Sequence, residues 1–421
     1  MKGILFEYDM PPATWVYVSS LMMIGIFFRF NRFFSVRNLD LIALIFFSPG
    51  MLLLSHAQER LGYVWLFSVG GVFLVRLLLD PLMVRRPLLE PNLSASGLTF
   101  TGLALLVFLM SNVIQGREIF SPDPGQQDPS KLVVRGPGYP HFYAFANLSN
   151  PAVPAKAAAL PELRDAAVRE AVSRTAAILG HFAILLGIVL IGYRHFDNIQ
   201  TGVATATLYL LLPYTAQMTG HVDHVIPGAL LVWAVAMYRR PALAGIFIGL
   251  ASGMIFYPLF LLPLWCSFYW RRGLIRFVVA VVLVLLLLVL SLVLSAESTA
   301  VLASQLKEMF GWTTLWLKGA NGFWEHHELT FRYPVLAAFV VLCGSLALWP
   351  PHKNLGTLLS CSAVVMLGVQ YWHTYQGGLY MAWYLPLLVL TIFRPNLEDR
   401  VALTAVIERR TPWRRAAPAA A

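Results

Sequence analysis

Apolar runs as long as whole helices alternate with short polar segments along the entire chain, and most of the basic residues fall in the gaps between runs. The run FVVAVVLVLLLLVLSLVLS (277–295) carries no charge and no polar stripe, so it reads as a helix with lipid on its faces rather than one with a wet side. At 1.5 Å per residue such a helix covers about 28 Å, close to the thickness of a bilayer's hydrocarbon core. The pattern predicts spans at about 13–28, 39–55, 62–79, 96–114, 176–193, 199–217, 225–238, 277–295, 333–349, 355–371 and 379–393.

The stretch 241–270 breaks the pattern. It follows Arg239 and Arg240 and precedes Arg271 and Arg272, and clusters of basic residues beside spans stay cytoplasmic, so the chain must enter and leave on one side. Two short helices meeting near SGMIFYP satisfy this, with Gly253 and Pro258 as the breakers. The expected fold is an all-α polytopic transmembrane bundle of about thirteen segments, with the N-terminus outside and the C-terminus in the cytoplasm. Three parts follow from the map: a three-span unit (1–95), a core (96–395) with outer loops 115–175 and 296–332, and a basic cytoplasmic tail (396–421).

Composition supports the class. Hydrophobic residues make up 58% of the chain and charged residues 12%, too little polar surface for a soluble protein. The segments assigned inside hold 19 Arg or Lys against 7 Asp or Glu, and those outside hold the other 12 against 14. The net charge of +10 is thus explained by topology and argues against nucleic acid as a partner. Membrane lipids are the expected neighbours, and a bacterial cytoplasmic membrane is the expected location. Cys266, Cys343 and Cys361 all fall in spans and read as apolar packers without disulfide or metal spacing. The N-terminal MKGILFEYDMPPATW lacks a basic n-region and a nearby small-residue cleavage site, so the first span is expected to be retained.

Eight histidines (56, 141, 181, 221, 224, 326, 327 and 373) map to the outer side, and only His195 and His352 to the inner one. Few ionisable residues sit at mid-span, where an ion pathway would place them, and Arg76, the nearest exception, is expected to snorkel to the inner interface. Outer loop 115–175 opens with QGREIFSPDPGQQDPSKLVVRGPGYPHFY and carries Glu118, Asp123, Asp128 and His141. Its continuation, LPELRDAAVREAVSRTAAILGHF (160–182), has basic Arg164, Arg169 and Arg174 beside apolar positions and reads as a helix lying along the interface.

Two further outer segments carry candidate chemistry. HVDH (221–224) sits in a short turn, and His221 and His224 flanking Asp223 suit acid–base work, hydrogen bonding to phosphate, or a divalent metal. The metal is the minor reading, because two histidines three apart share a helix face but the spacing alone supplies no third ligand; no cofactor is expected. In 296–332, Trp312, Trp316, Phe323 and Trp324 suit the interface belt, while Lys318 and Arg332 could hold an anion beside Glu325, His326, His327 and Glu328.

The segment RRPALAGIFIGLASGMIFYPLFLLPLW (239–265) resembles a stretch of the polytopic GT-C glycosyltransferases, especially the polyprenyl-phosphate-mannose-dependent membrane mannosyltransferases. There a small-residue helix runs into a Lys-x-x-Pro-like turn and a Leu-Pro-rich helix; here Ile255 and Phe256 stand near the position of that lysine. The span followed by a long acidic loop with GPGYPHFY, and YMAWYLPLLVL (380–390), are similar to parts of the same class. The resemblance covers about residues 96–395. It implies sugar transfer from a polyprenyl-phosphate donor at the outer face, with Asp123 or Asp128 as base. It further implies His221, His224, Lys318 and Arg332 near the phosphate, His326 beside them, Trp324 against sugar or lipid, and Asp223 orienting a histidine. Two other classes fit the residues: a transporter or flippase, and a non-catalytic subunit or metal-dependent hydrolase built on HVDH and EHHE.

Overall fold

The computed structural model describes residues 11–83, 91–115, 161–217, 219–295, 298–310 and 322–395. In chain order its helices are α1 (Pro12–Phe27), α2 (Val36–Ile45), α3 (Phe47–Ser55), α4 (Glu59–Leu78), α5 (Ala95–Gln115), α6 (Pro161–His195), α7 (Ile199–Leu211) and α8 (Pro213–Gln217). They continue as α9 (Val222–Ala236), α10 (Pro241–Met254), α11 (Leu262–Tyr269), α12 (Leu274–Ser295), α13 (Thr299–Met309), α14 (Arg332–Leu348), α15 (Leu355–Trp372) and α16 (Leu385–Phe393). No strand occurs among the described residues, and the architecture is that of a multi-pass integral membrane protein.

The expected all-α bundle is present, while thirteen spanning segments are not shown. Among the described residues, seven helical stretches are long and apolar enough to cross a membrane, and five more apolar helices have only 10–17 residues. The shortening has local causes. Pro213 stands at the break between α7 and α8, and α16 begins only at Leu385, after a 3-10 turn at Met381–Trp383, whereas α2 and α3 together make one spanning stretch, Val36–Ser55. The hairpin predicted over 241–270 is present as α10, a 3-10 turn (Tyr257–Leu261) and α11. Its break lies at Ile255, which is extended, rather than at Gly253, which stays helical and packs against Leu288 of α12. The stretch 160–182 does not form a separate interfacial helix. Residues 161–195 are one continuous helix of 35 residues, about 52 Å long, so the predicted interfacial piece continues the axis of the span.

Burial orders the bundle. The spanning window of α15 is 94% buried and that of α12 only 22%, which makes α15 the central helix and α12 a peripheral one with apolar side chains outward. Against α15 pack α4, α11, α14 and α16, while α9 packs between α6 and α10. Small residues let them approach closely: a Cβ on Gly228 of α9 would lie 2.5 Å from the Ala382 carbonyl oxygen, and one on Gly245 of α10 the same distance from that of Phe277. Gly228→Ala is expected to cost about 1–3 kcal/mol by overpacking against backbone that cannot swing away. A fall in the thermal midpoint of the purified protein checks this.

At one end of the bundle four charged residues close a buried network. Arg76 meets both oxygens of Asp40 at 2.9 Å and reaches Asp80 Oδ1 at 3.0 Å, while Arg394 donates to Asp80 Oδ2 through Nε at 3.1 Å and Nη2 at 2.5 Å. Asp80 is fully buried, and Asp40 and Arg394 nearly so. Arg76 therefore does not snorkel to a headgroup. It lies four residues before Asp80 on the same turn of chain, and pairing inside the protein satisfies its guanidinium better than stretching to an interface.

Candidate functional site

The site is built at the opposite end from that network, at the N-terminus of α9. His221 precedes the helix in extended conformation, and Asp223 and His224 occupy its first turn. The predicted loop turn is thus largely helical, and the spacing in HVDH folds both imidazoles around the carboxylate. His221 Nδ1 lies 4.0 Å from Asp223 Oδ1, and His224 Nε2 lies 3.9 Å from Asp223 Oδ2. One ligand atom from each of the three residues lies within 4.8 Å of the others. Asp223 and His224 are buried, whereas the side chain of His221 is 28% exposed and forms the accessible rim.

Two prolines explain how the walls are held. Pro227 inside α9 has no N–H, so the Asp223 carbonyl loses its normal helical donor; the Trp383 indole supplies one at 3.0 Å. Pro213 frees the Tyr209 carbonyl in the same way, and the Thr215 hydroxyl donates to it at 2.6 Å. Each freed acceptor fastens a neighbouring segment to the site. Trp383→Phe would leave the Asp223 carbonyl buried without its donor, an expected loss of about 1–3 kcal/mol measurable by denaturation of the purified protein.

Aromatic rings surround His224. Tyr214 Oη shares a 2.9 Å hydrogen bond with His224 Nδ1, which turns Nε2 toward Asp223. Tyr380 stacks on the imidazole at 4.6 Å, and Trp383 stacks on Tyr380 at 4.4 Å. The segment after α15 carries these rings, and Gln370 sets its path: Oε1 accepts from the N–H groups of Gly378 and Tyr380 at 3.1 and 3.2 Å. Gly378 has φ +98°, a left-handed conformation that suits glycine. His373 stands beside Tyr380 and shares a 2.6 Å hydrogen bond with Tyr257 of the hairpin tip, so the hairpin, α15 and α9 meet around one cluster of rings.

Depth follows from α6. Arg174 and Arg194 bracket an uncharged run, and twenty helical rises between them amount to about 30 Å, the thickness of the hydrocarbon core. His181, seven residues in from Arg174, hydrogen-bonds the Thr219 carbonyl at 3.1 Å, and Gly180 faces Val225. Gly187 likewise faces Val232, so α6 and α9 run in parallel register and Asp223 stands level with residue 178, about 6 Å along α6 from Arg174. A carboxylate and two imidazoles at that depth are expensive to desolvate, which marks them as functional candidates.

The other predicted residues sort differently. Asp123, Asp128, Lys318 and His141 lie outside the described residues. The Trp324 indole is buried and donates to the Tyr371 carbonyl at 3.0 Å; His326 lies 3.9 Å from Glu59; His327 stacks on Phe323, which stacks on Phe67. These contacts pin residues 322–327 to α4 and α15. Arg332 is buried, donates through Nε to the Trp372 carbonyl at 2.6 Å and so meets the end of α15 next to His373. Tyr214, Tyr380, Trp383 and Gln370 were not picked out from sequence as site residues; the signal for Trp383 was Pro227, whose missing N–H demands a side-chain donor. No protein-family model, curated protein or solved structure matches the chain, so the reading of this cluster rests on its own chemistry.

Proposed function

We propose that the protein is a membrane glycosyltransferase that moves a sugar from a polyprenyl-phosphate-linked donor to an acceptor hydroxyl at the outer face. The supporting observation is the His221–Asp223–His224 cluster, about 6 Å along α6 from Arg174 at the end where the charge pattern puts the outside. A polar cluster at that depth fits a substrate whose headgroup is polar and whose tail stays in lipid. In the transfer, the acceptor oxygen bonds to the anomeric carbon as the carbon–oxygen bond to phosphate breaks. The phosphate leaves with the electron pair, and a carboxylate takes the hydroxyl proton. His221 and His224 stabilise the leaving phosphate, Asp223 orients an imidazole, and Asp123 or Asp128 is the base.

The test is chemical. Purified protein in proteoliposomes is supplied with a labelled polyprenyl-phosphate hexose and assayed for donor consumption. Of Asp123→Asn and Asp128→Asn, made separately, at least one is expected to insert normally and transfer no sugar. Full activity in both removes the proposed base, and a wild-type protein that consumes no such donor removes the reading itself. Transport is the second reading, because a hairpin broken at buried Ile255 resembles the broken helices that line transporter sites. Movement of a solute across proteoliposomes without a covalent product would decide for it.

A further inference from the structure

We propose that His221, Asp223 and His224 form a binding site for one divalent cation of the zinc class. Two imidazoles and one carboxylate are a ligand set that suits zinc, with manganese or iron(II) as the next candidates. In a tetrahedral site with bonds of 2.0–2.1 Å, neighbouring ligand atoms stand about 3.3 Å apart. The separations of 4.0 Å from His221 and 3.9 Å from His224 run to different oxygens of Asp223, and with one oxygen as ligand the three atoms lie within 4.8 Å of one another, wide of that geometry. Small side-chain rotations close the gap, and His221, 28% exposed, stands at the rim.

The orientation of His224 is a second, independent pointer. Metal-ligating histidines nearly always have their other ring nitrogen held by a hydrogen bond, which fixes tautomer and ring plane. Tyr214, itself buried, holds Nδ1 of His224 at 2.9 Å and leaves Nε2 on the carboxylate side, and Tyr380 fixes the ring plane by stacking. Charge points the same way. With neutral imidazoles the cluster carries the single negative charge of a buried Asp223, level with residue 178 of the apolar run of α6. A divalent cation turns that to a net positive charge, the sign that attracts a phosphate oxygen to the coordination positions the protein does not fill. Only this last step rests on the lipid-phosphate reading; the cation site stands without it.

The experiment uses full-length protein in detergent, purified through a tag that contains no histidine, equilibrated with zinc and then freed of excess. Metal content is measured by mass spectrometry, and cobalt(II) loading is followed by its visible d–d bands. Wild type is expected to retain one equivalent and, with cobalt, to show the strong absorption of a low-coordinate site. Asp223→Asn and His224→Ala are expected to lose it, and Tyr214→Phe to weaken binding by about 10–100-fold, the usual effect of removing an outer-shell partner. Should His224→Ala fail to fold, His221→Gln at the exposed rim is read in its place. A wild type that retains no cation overturns the proposal, and so does equal retention by wild type and the ligand variants. A protein that binds zinc but consumes no lipid-phosphate sugar sinks the proposed function and leaves this site standing; transfer without bound cation does the reverse.

Discussion

Asp80→Asn is expected to destabilise the protein by about 3–5 kcal/mol, the largest effect of any single substitution outside the His–Asp–His cluster. Asparagine keeps the size of the side chain and removes its charge, so packing is nearly conserved and the loss is electrostatic. Asp80 accepts from both Arg76 and Arg394, and it is fully buried. Without its charge, Arg76 keeps Asp40 but Arg394 faces a neutral amide in a dry environment, and an uncompensated buried guanidinium is what makes a broken buried pair so costly. Arg394 lies just beyond the C-terminus of α16 and Asp80 just beyond that of α4, so the same change loosens the contact between the first and last helical units. Combining Asp80→Asn with Arg394→Gln should recover much of the loss, because neither charge is then stranded. Denaturation of the purified single and double variants measures the coupling. A cost below about 1 kcal/mol for Asp80→Asn, as for exposed ion pairs, would mean that the network is solvated and holds nothing together.

That network shows where sequence reasoning stops. The spans were legible because lipid-facing helices such as α12 are uniformly apolar and their length is fixed by the bilayer. The hairpin at 241–270 was legible because Arg pairs at both ends fix the side on which it begins and ends. The pairings of Arg76 with Asp40 and of Asp80 with Arg394 were not, since partners 36 and 314 positions apart in the chain leave no local pattern. Only the four-residue step to Asp80 was open to inspection. Helix lengths failed for a related reason. An apolar run reports that a segment lies in lipid or core, but whether it is one helix or two depends on local breaks; Pro213 after Leu212 carries that signal, and the extended Ile255 lies inside SGMIFYP, whereas the αR kink at Phe46 has no mark in the residue types around it.

The candidate site divides in the same way. HVDH stood out because ionisable groups are rare in such surroundings, and the structure gathers all three of its polar side chains at one point. Its supports come from segments far apart in the chain and are aromatic, a residue type too common here to be distinctive. Trp324 and His326 show what the residue type alone leaves open: the Trp324 indole donates to the Tyr371 carbonyl and His326 lies 3.9 Å from Glu59, contacts set by neighbours distant in the chain.

His224→Ala is expected to lower sugar transfer by about 10²–10³-fold with insertion unchanged, the cost of removing one preorganised group that stabilises developing negative charge. The argument starts from geometry. His224 is held by Tyr214 on one nitrogen and by Tyr380 on its face, so its Nε2 is aimed before substrate arrives, acting on the phosphate directly or through the cation it would ligate, and no reorganisation is needed during reaction. Its surroundings are buried and apolar, where an electrostatic interaction is worth more than in water. Removing the ring also removes the partner of the Tyr214 hydroxyl, so some stability is lost. Tyr214→Phe separates the two effects, since it keeps the imidazole but frees its orientation, and should reduce transfer less than His224→Ala does. If both variants lose stability to the same extent while transfer falls in neither, the cluster is a structural knot and the donor phosphate binds elsewhere. If transfer falls in His224→Ala and partly in Tyr214→Phe, with the folded fraction of each accounted for, the phosphate meets this end of α9.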